Sequence, residues 1–378
     1  MMRGRNSIPL GRIFGIPIGL DLSWFLIFAL LTWSMATSYF PARFPDWSTT
    51  LYWGIGAITA IGLFVGVLLH ELGHARVALW YQVPVRRIRL MVFGGVAELG
   101  DEPPHAGAEF LIALAGPAVS LLLAAALGFA WGVMKLFAPT LEQMIALTGY
   151  LAIINLSLAV FNLLPGFPLD GGRVLRSAVW GLTGNLTRAT TIAAGVGRLI
   201  AYAFIGVGVL QAFTGNLSGG LWTAFIGIFL QGAAGAEVQS LRIREILSRR
   251  TVAQAMRAHF PAIPAEISVQ RLVDSHILGA GWRSFIVRAA DGSAGLLSAS
   301  DVHRLARERW PLTTAGQIMH PIDTQHRVEL ETGLWSALKQ MDGSGVDQLA
   351  VMEDGEVRGL LRREDVFGYI RTVMQFGS

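Results

Sequence analysis

The sequence contains no cysteine among its 378 residues. Disulfide frameworks and thiolate metal sites are excluded, and any metal must be held by His, Asp or Glu. Charge is scarce as well: 15% of residues are Asp, Glu, Lys or Arg against 53% hydrophobic, and the mean hydropathy is +0.50. Soluble domains carry about 25% charged residues, so most of this chain is suited to a lipid bilayer. The charge is also unevenly placed. Up to about Gln239 the chain is a series of long apolar runs, whereas from Arg242 onward charges recur every few residues, which implies a membrane part followed by a soluble part. The net charge of +4 and pI of 9.7 do not call for nucleic acid, because the arginines sit beside apolar spans where membrane topology accounts for them. No nucleic-acid partner is expected. The start, Met1-Met2-Arg3-Gly4-Arg5, lacks a signal-peptide layout, since the apolar run comes late and is long enough to span.

A bilayer core needs roughly 20 apolar residues in a helix. Six stretches qualify, at about 19–39, 53–82, 106–134, 144–165, 188–213 and 220–240. With the N-terminus inside, Arg3, Arg5, Arg12, Arg86, Arg87, Arg89, Arg173, Arg176, Arg188 and the arginines from Arg242 to Arg250 all fall on the cytoplasmic side, leaving only Arg43 and Lys135 outside. Both termini are therefore expected in the cytoplasm of a multi-pass cell-membrane protein. Between the second and third spans, Val85 to Leu99 mixes β-branched alternation with Gly94-Gly95, the pattern of a short hairpin or of a plain connecting loop.

The soluble part contains a repeat. Gly295-Leu296-Leu297-Ser298-Ala299-Ser300-Asp301-Val302 recurs as Gly359-Leu360-Leu361-Arg362-Arg363-Glu364-Asp365-Val366. Each copy follows an apolar strand and an Asp-Gly turn, and Val252 to Met256 matches Thr314 to Met319 in outline. A tandem pair of small α/β units is expected, with boundaries at 1–248 for the membrane domain, 249–310 for the first unit and 311–378 for the second.

Polar residues enter the membrane part at two places. His70-Glu71-Leu72-Gly73-His74 lies within a helical span, so the two imidazoles, four residues apart, project from one face at a separation that suits a common metal ion. Glu71 lies one step round, near the metal without occupying it. Three polar residues without a role would cost several kcal/mol in an apolar run. Two histidines leave a tetrahedral zinc short of a third protein ligand. A candidate is Asp170, in the segment Asn162 to Arg173, whose prolines and glycines break a helix and let backbone and carboxylate turn toward a polar pocket. From the residues alone, Asp170 could instead cap a helix or pair with Arg173.

These motifs together resemble the site-2 proteases, the intramembrane zinc metalloproteases, in the branch that carries a C-terminal pair of CBS domains. The resemblance rests on His70 to His74, on Asn162 to Gly172 as the Asn-x-x-Pro-x-x-Pro-x-Asp-Gly segment, and on Gly116 to Ser120 as the central Gly-x-x-x-Ser element. It implies a polytopic α-helical membrane domain of about six spans with a short β-hairpin near the active site, joined to a cytoplasmic α/β CBS pair. It further implies one zinc per chain, held by His70, His74 and Asp170, with Glu71 as general base and Asn162 steadying the oxyanion. The expected substrates are transmembrane proteins in the lipid bilayer, cut in regulated intramembrane proteolysis. CBS pairs commonly bind adenine nucleotides, which places Ser298, Asp301 and Asp365 as candidate nucleotide contacts and allows a homodimer through the pair. Arg362 departs from the Ser or Thr that the family prefers. A CBS-gated transporter and an inactive metal-binding scaffold are the alternative functions.

Overall fold

The computed structural model describes residues 7–92 and 94–376. Arg3 and Arg5, used above for orientation, and Phe93 at the tip of the expected hairpin lie outside the described residues. The chain divides into two compact units between Gln239 and Ser240.

Six helices of the first kind anticipated are present among the described residues: Ser23–Arg43, Thr49–Trp80, Ala106–Phe137, Glu142–Asn162, Leu186–Phe213 and Leu217–Ser248. They expose large apolar side chains such as Leu26, Phe129, Leu199 and Phe213, as a lipid-facing surface requires. The first span comprises α1 (Ser23–Ser34), a π-helical turn (Met35–Tyr39) and α2 (Phe40–Arg43). Next comes α3 (Thr49–Trp80), started by Ser48, whose hydroxyl accepts from the Leu51 amide. Then follow α4 (Ala106–Phe137), capped by the His105 ring, and α5 (Glu142–Asn162). A Cβ placed on Gly62 or Gly66 of α3 would meet the Leu151 or Asn155 side chain of α5 at 2.8 or 2.7 Å. Glycine there lets two helices approach closely where no hydrophobic force drives them together.

A shorter helix, α6 (Asp170–Thr183), precedes α7 (Leu186–Phe213) and α8 (Leu217–Ser248). The glycines Gly171 and Gly172 do not break the chain there; they sit in the first turn of α6. Added side chains would run into the Leu163 and Leu164 carbonyls and the Gly166–Phe167 backbone. Their smallness seats the start of α6 against its own lead-in loop.

The hairpin at Val85 to Leu99 is present and belongs to a larger sheet. Strands β1 (Ser7–Ile13), β2 (Ile16–Asp21), β3 (Val85–Met91) and β4 (Gly94–Leu99) form it in that order, with β2 parallel to β3 and β4 at an edge.

The second unit contains two copies of one pattern. In the first, β5 (Ala262–Pro264) runs parallel to β6 (Ser284–Arg288), which pairs antiparallel with β7 (Ala294–Ser298) and leads into α10 (Ala299–His303), α9 (Val269–Leu272) lying between β5 and β6. In the second, β9 (Arg327–Glu329), α12 (Leu334–Ser344), β10 (Gln348–Glu353), β11 (Glu356–Arg362) and α13 (Arg363–Phe376) repeat this with the same pairings. Between the copies lie α11 (Ala315–Ile318) and β8 (His320–Pro321), the latter paired to β7. The lead-in segments cross over. Val252 joins the core of the second copy, and Met256 abuts Gly359; Ala315 joins the core of the first, and Met319 abuts Gly295. Each lead-in opens with a Thr-x-x-Gln capping box, Thr251 with Gln254 and Thr314 with Gln317.

Candidate active site

Helix α3 brings His70 and His74 to one face, both buried, and α6 begins with Asp170 opposite them. The Nε2 atoms of the two histidines are 3.2 Å apart, and each lies 3.1 Å from Asp170 Oδ2. The other ring nitrogens are engaged. His74 Nδ1 lies 2.6 Å from the Ile112 carbonyl oxygen, and His70 Nδ1 lies 2.9 Å from Ser120 Oγ. A carbonyl only accepts, so His74 Nδ1 must donate, and the neutral ring presents a lone pair at Nε2. His74 Nε2 and the Asp170 carboxylate thus face each other as acceptors with little access to water, an arrangement that favours a cation between them. Ligands about 2.0–2.2 Å from a tetrahedral zinc stand roughly 3.3 Å or slightly more from each other. The observed edges fit, and these are the three residues whose donor atoms converge among the described residues.

Gly116 makes this convergence possible. A Cβ there would lie 2.7 Å from His70 Nε2 and closer still to His74 Nε2. Helix α4 therefore presents bare backbone to the ligand atoms.

Glu71, Asn162 and Asp170 line one cavity of about 340 Å³, with β4 forming part of its wall. Glu71 Oε2 accepts a hydrogen bond from the Ala97 amide of β4 at 3.1 Å. That amide points away from β3, which marks the free edge of β4 as the side facing the cavity. Asn162 donates from Nδ2 to the Leu158 carbonyl at 3.0 Å. Arg173 and Glu237 also reach the cavity wall, neither singled out by the sequence motif for that place. Asp170 does not cap α6, since Leu169 is the N-cap residue.

The sequence flagged Gly116 to Ser120 as an element but assigned Ser120 no role, and the contribution of the Ile112 carbonyl is backbone chemistry that no side-chain pattern reveals. Glu98 of β4 bonds Arg87 at 2.8 Å and Arg89 at 2.6 Å of β3 across the hairpin.

The candidate nucleotide contacts fall in the second unit. Asp301 and Ser298 form a capping box, with Ser298 Oγ 2.6 Å from Asp301 Oδ2, and Asp301 Oδ1 lies 3.2 Å from His320 Nε2. Asp365 is gripped by Arg362 through two contacts of 2.6 Å and by Arg257 at 2.9 Å. The cleft beside Asp301 is nearly closed, at about 10 Å³, whereas the one beside Asp365 holds about 390 Å³.

A family model described as Peptidase family M50 matches residues 58–139 and 131–204, and a CBS domain model matches residues 315–372. A protein of Synechocystis sp., provisionally named a zinc metalloprotease, is 36% identical over 370 residues, 97% of this chain and 96% of its own length. Rip3 of Mycobacterium tuberculosis, likewise provisionally named, is 36% identical over 364 residues, 96% and 92% of the two chains. The solved site-2 protease from Methanocaldococcus jannaschii is 31% identical and covers 61% of this chain and 95% of that chain, with a TM-score of 0.43. The chain belongs to Peptidase family M50, the site-2 protease family, and is a multi-pass membrane zinc metalloprotease.

Proposed function

We propose that this protein hydrolyses peptide bonds within or beside transmembrane helices of membrane-protein substrates, in regulated intramembrane proteolysis. In this reading His70, His74 and Asp170 hold the zinc, Glu71 is the general base and Asn162 stabilises the oxyanion. The observation that carries it is the convergence of three ligand atoms at 3.1–3.2 Å, buried among apolar helices, beside a carboxylate in the same cavity. A zinc bound there supplies Lewis acidity and makes a water acidic near neutral pH.

The remaining work falls to the chain itself. Glu71 accepts the proton of the attacking water and returns it to the leaving amine. Asn162 spends one Nδ2 hydrogen on Leu158; its second is free for charge that develops on the scissile carbonyl oxygen. A helical substrate must unwind before its carbonyl can be attacked, because that carbonyl is bonded within the helix. The free edge of β4, lining the cavity from Gly94 to Ala97, offers backbone groups to which an unwound stretch adds as a strand.

The arginine distribution supports cytoplasmic N- and C-termini. Residues 249–310 and 311–378 are assigned as the two CBS units. An adenine nucleotide, recognised through Ser298 and Asp301 or through Asp365, is the proposed regulator, and the pair also supplies a surface for a homodimer.

Zinc content and cleavage of a transmembrane model substrate by purified protein, wild type beside Glu71→Gln, test the central reading. Wild type should hold about one zinc and cut, while the variant keeps the zinc and loses cleavage by at least ~100-fold. Wild-type protein without zinc, or cleavage undiminished in Glu71→Gln, would overturn it.

A further inference from the structure

Four positions on α4 lie in one stripe, spaced by three, four and four residues: Glu109, Ile112, Gly116 and Ser120. Three of them touch the ligand set directly. The Ile112 carbonyl fixes His74, Ser120 fixes His70, and Gly116 leaves room for both Nε2 atoms. The fourth, Glu109, reaches the helix that carries the third ligand. It is fully buried, and its Oε1 takes both Nε, at 2.6 Å, and a terminal nitrogen of Arg176 on α6. Arg173 Nε lies 3.9 Å from the same oxygen. Asp170, Arg173 and Arg176 follow one another at intervals of three along α6, so a grip on Arg176 sets both the rotation and the height of the turn that presents Asp170.

A buried carboxylate and guanidinium rarely stabilise a fold more than a well-packed apolar pair of the same volume would. Nor is the pair needed merely to join the helices, since α4 and α6 also approach each other where a Cβ added to Gly181 would lie 3.6 Å from the Ala106 side chain. The planar fork of arginine on a carboxylate does supply a fixed direction, which an apolar contact lacks.

We propose that Glu109 and Arg176 are positioning residues that register Asp170 against His70 and His74, so that α4 aligns all three metal ligands from a single stripe. The inference rests on the assignment of Asp170 as a ligand. It gives the Glu109–Arg176 pair the role that outer hydrogen-bond partners play around metal sites, where their loss weakens metal binding by 10–100-fold.

The test uses the full chain in detergent micelles, with zinc affinity from chelator competition and the visible absorption of the Co2+-substituted protein. Arg176→Lys keeps the charge and removes the fork; the Glu109→Gln/Arg176→Met double variant removes both charges without stranding either. Both should elute and melt like wild type, yet bind zinc about 10–100-fold more weakly and show an altered cobalt spectrum. Their kcat should fall more than their KM rises. If Arg176→Lys does not yield folded protein, the double variant decides by the same criteria. Wild-type zinc affinity and cobalt spectrum in the folded variants, while Asp170→Asn loses zinc, would overturn this inference alone. Zinc retained in Asp170→Asn would remove the ligand assignment on which it stands.

Discussion

The two units handle partly buried carboxylates in opposite ways. In the membrane unit, Asp170 faces the Nε2 atoms of two histidines whose Nδ1 atoms are already bonded elsewhere. The convergence of these atoms suits a cation. In the soluble unit, Asp301 and Asp365 are satisfied by their own chain, through Ser298 and His320 in one copy and through Arg362 and Arg257 in the other. His320 and Arg257 occupy matching places, each following the methionine that abuts the glycine of the opposite copy. A ligand arriving at either aspartate must displace a bond already made. On the function proposed above, the first arrangement suits a resident metal and the second an exchangeable ligand whose occupancy depends on its concentration.

The largest effect expected from breaking this contrast comes at Gly116. Alanine adds one methyl group where the two Nε2 atoms converge, and the backbone carrying it has little room to retreat, because Gly73 of α3 already packs against the Ala115 carbonyl. Gly116→Ala should fold but lose zinc by more than ~100-fold, beyond the range for an outer-partner loss, and should show no measurable cleavage. Zinc content measured on purified variant settles it: stoichiometric metal in Gly116→Ala would mean that the ligand atoms meet elsewhere.

Much of this was legible in the sequence because bilayer and metal impose strict patterns. Six apolar runs of sufficient length gave six helices, and His70 with His74 at helical spacing gave a shared face. The 64-residue repeat reappears as matched strand pairings in β6–β7 and β10–β11. What stayed hidden was non-local or backbone in origin. Strand β2 carries a strict alternation, with Ile16, Ile18 and Leu20 buried, but it merges into the apolar run of the first span and was masked by it. The start of α6 was obscured because Gly171 and Gly172 look like breakers, although in the fold they provide close approach. The crossing of the lead-in segments could not be read either, since a repeat shows likeness between segments without showing which copy each one packs on.

A smaller effect is expected where the contrast is weakened without being broken. Ser120→Ala removes the partner of His70 Nδ1 and leaves every ligand in place. The ring loses the contact that fixes its orientation, so zinc affinity should fall by about 10-fold, the low end of the range for such partners. Ser120→Thr, which keeps the hydroxyl, should restore part of it. Chelator competition measures both, and an unchanged affinity in Ser120→Ala would show that α3 alone orients His70.

The smallest effect lies in the unit with the CBS fold. Burial would push the Asp365 carboxyl upward, but the Arg362 and Arg257 guanidinium groups beside it hold it below the usual carboxylate range. A carboxylate lowered in this way adds stability above its unfolded value of about 4, and the contribution disappears as pH falls through the lower folded value. Arg362→Ser, which gives the second copy the residue type of Ser298, should therefore cost roughly 1 kcal/mol or less at pH 7. The difference from wild type should shrink as pH falls through the lowered folded value of Asp365, as read by hydrogen exchange in β10 and β11 of the full chain. The same substitution leaves Asp365 held by Arg257 alone, so ATP should bind in the larger cleft several-fold more tightly in calorimetric titration. If affinity instead falls while stability follows the expected course, Arg362 contacts the nucleotide itself, and the arginine that departs from the family preference becomes the phosphate-binding group of that cleft.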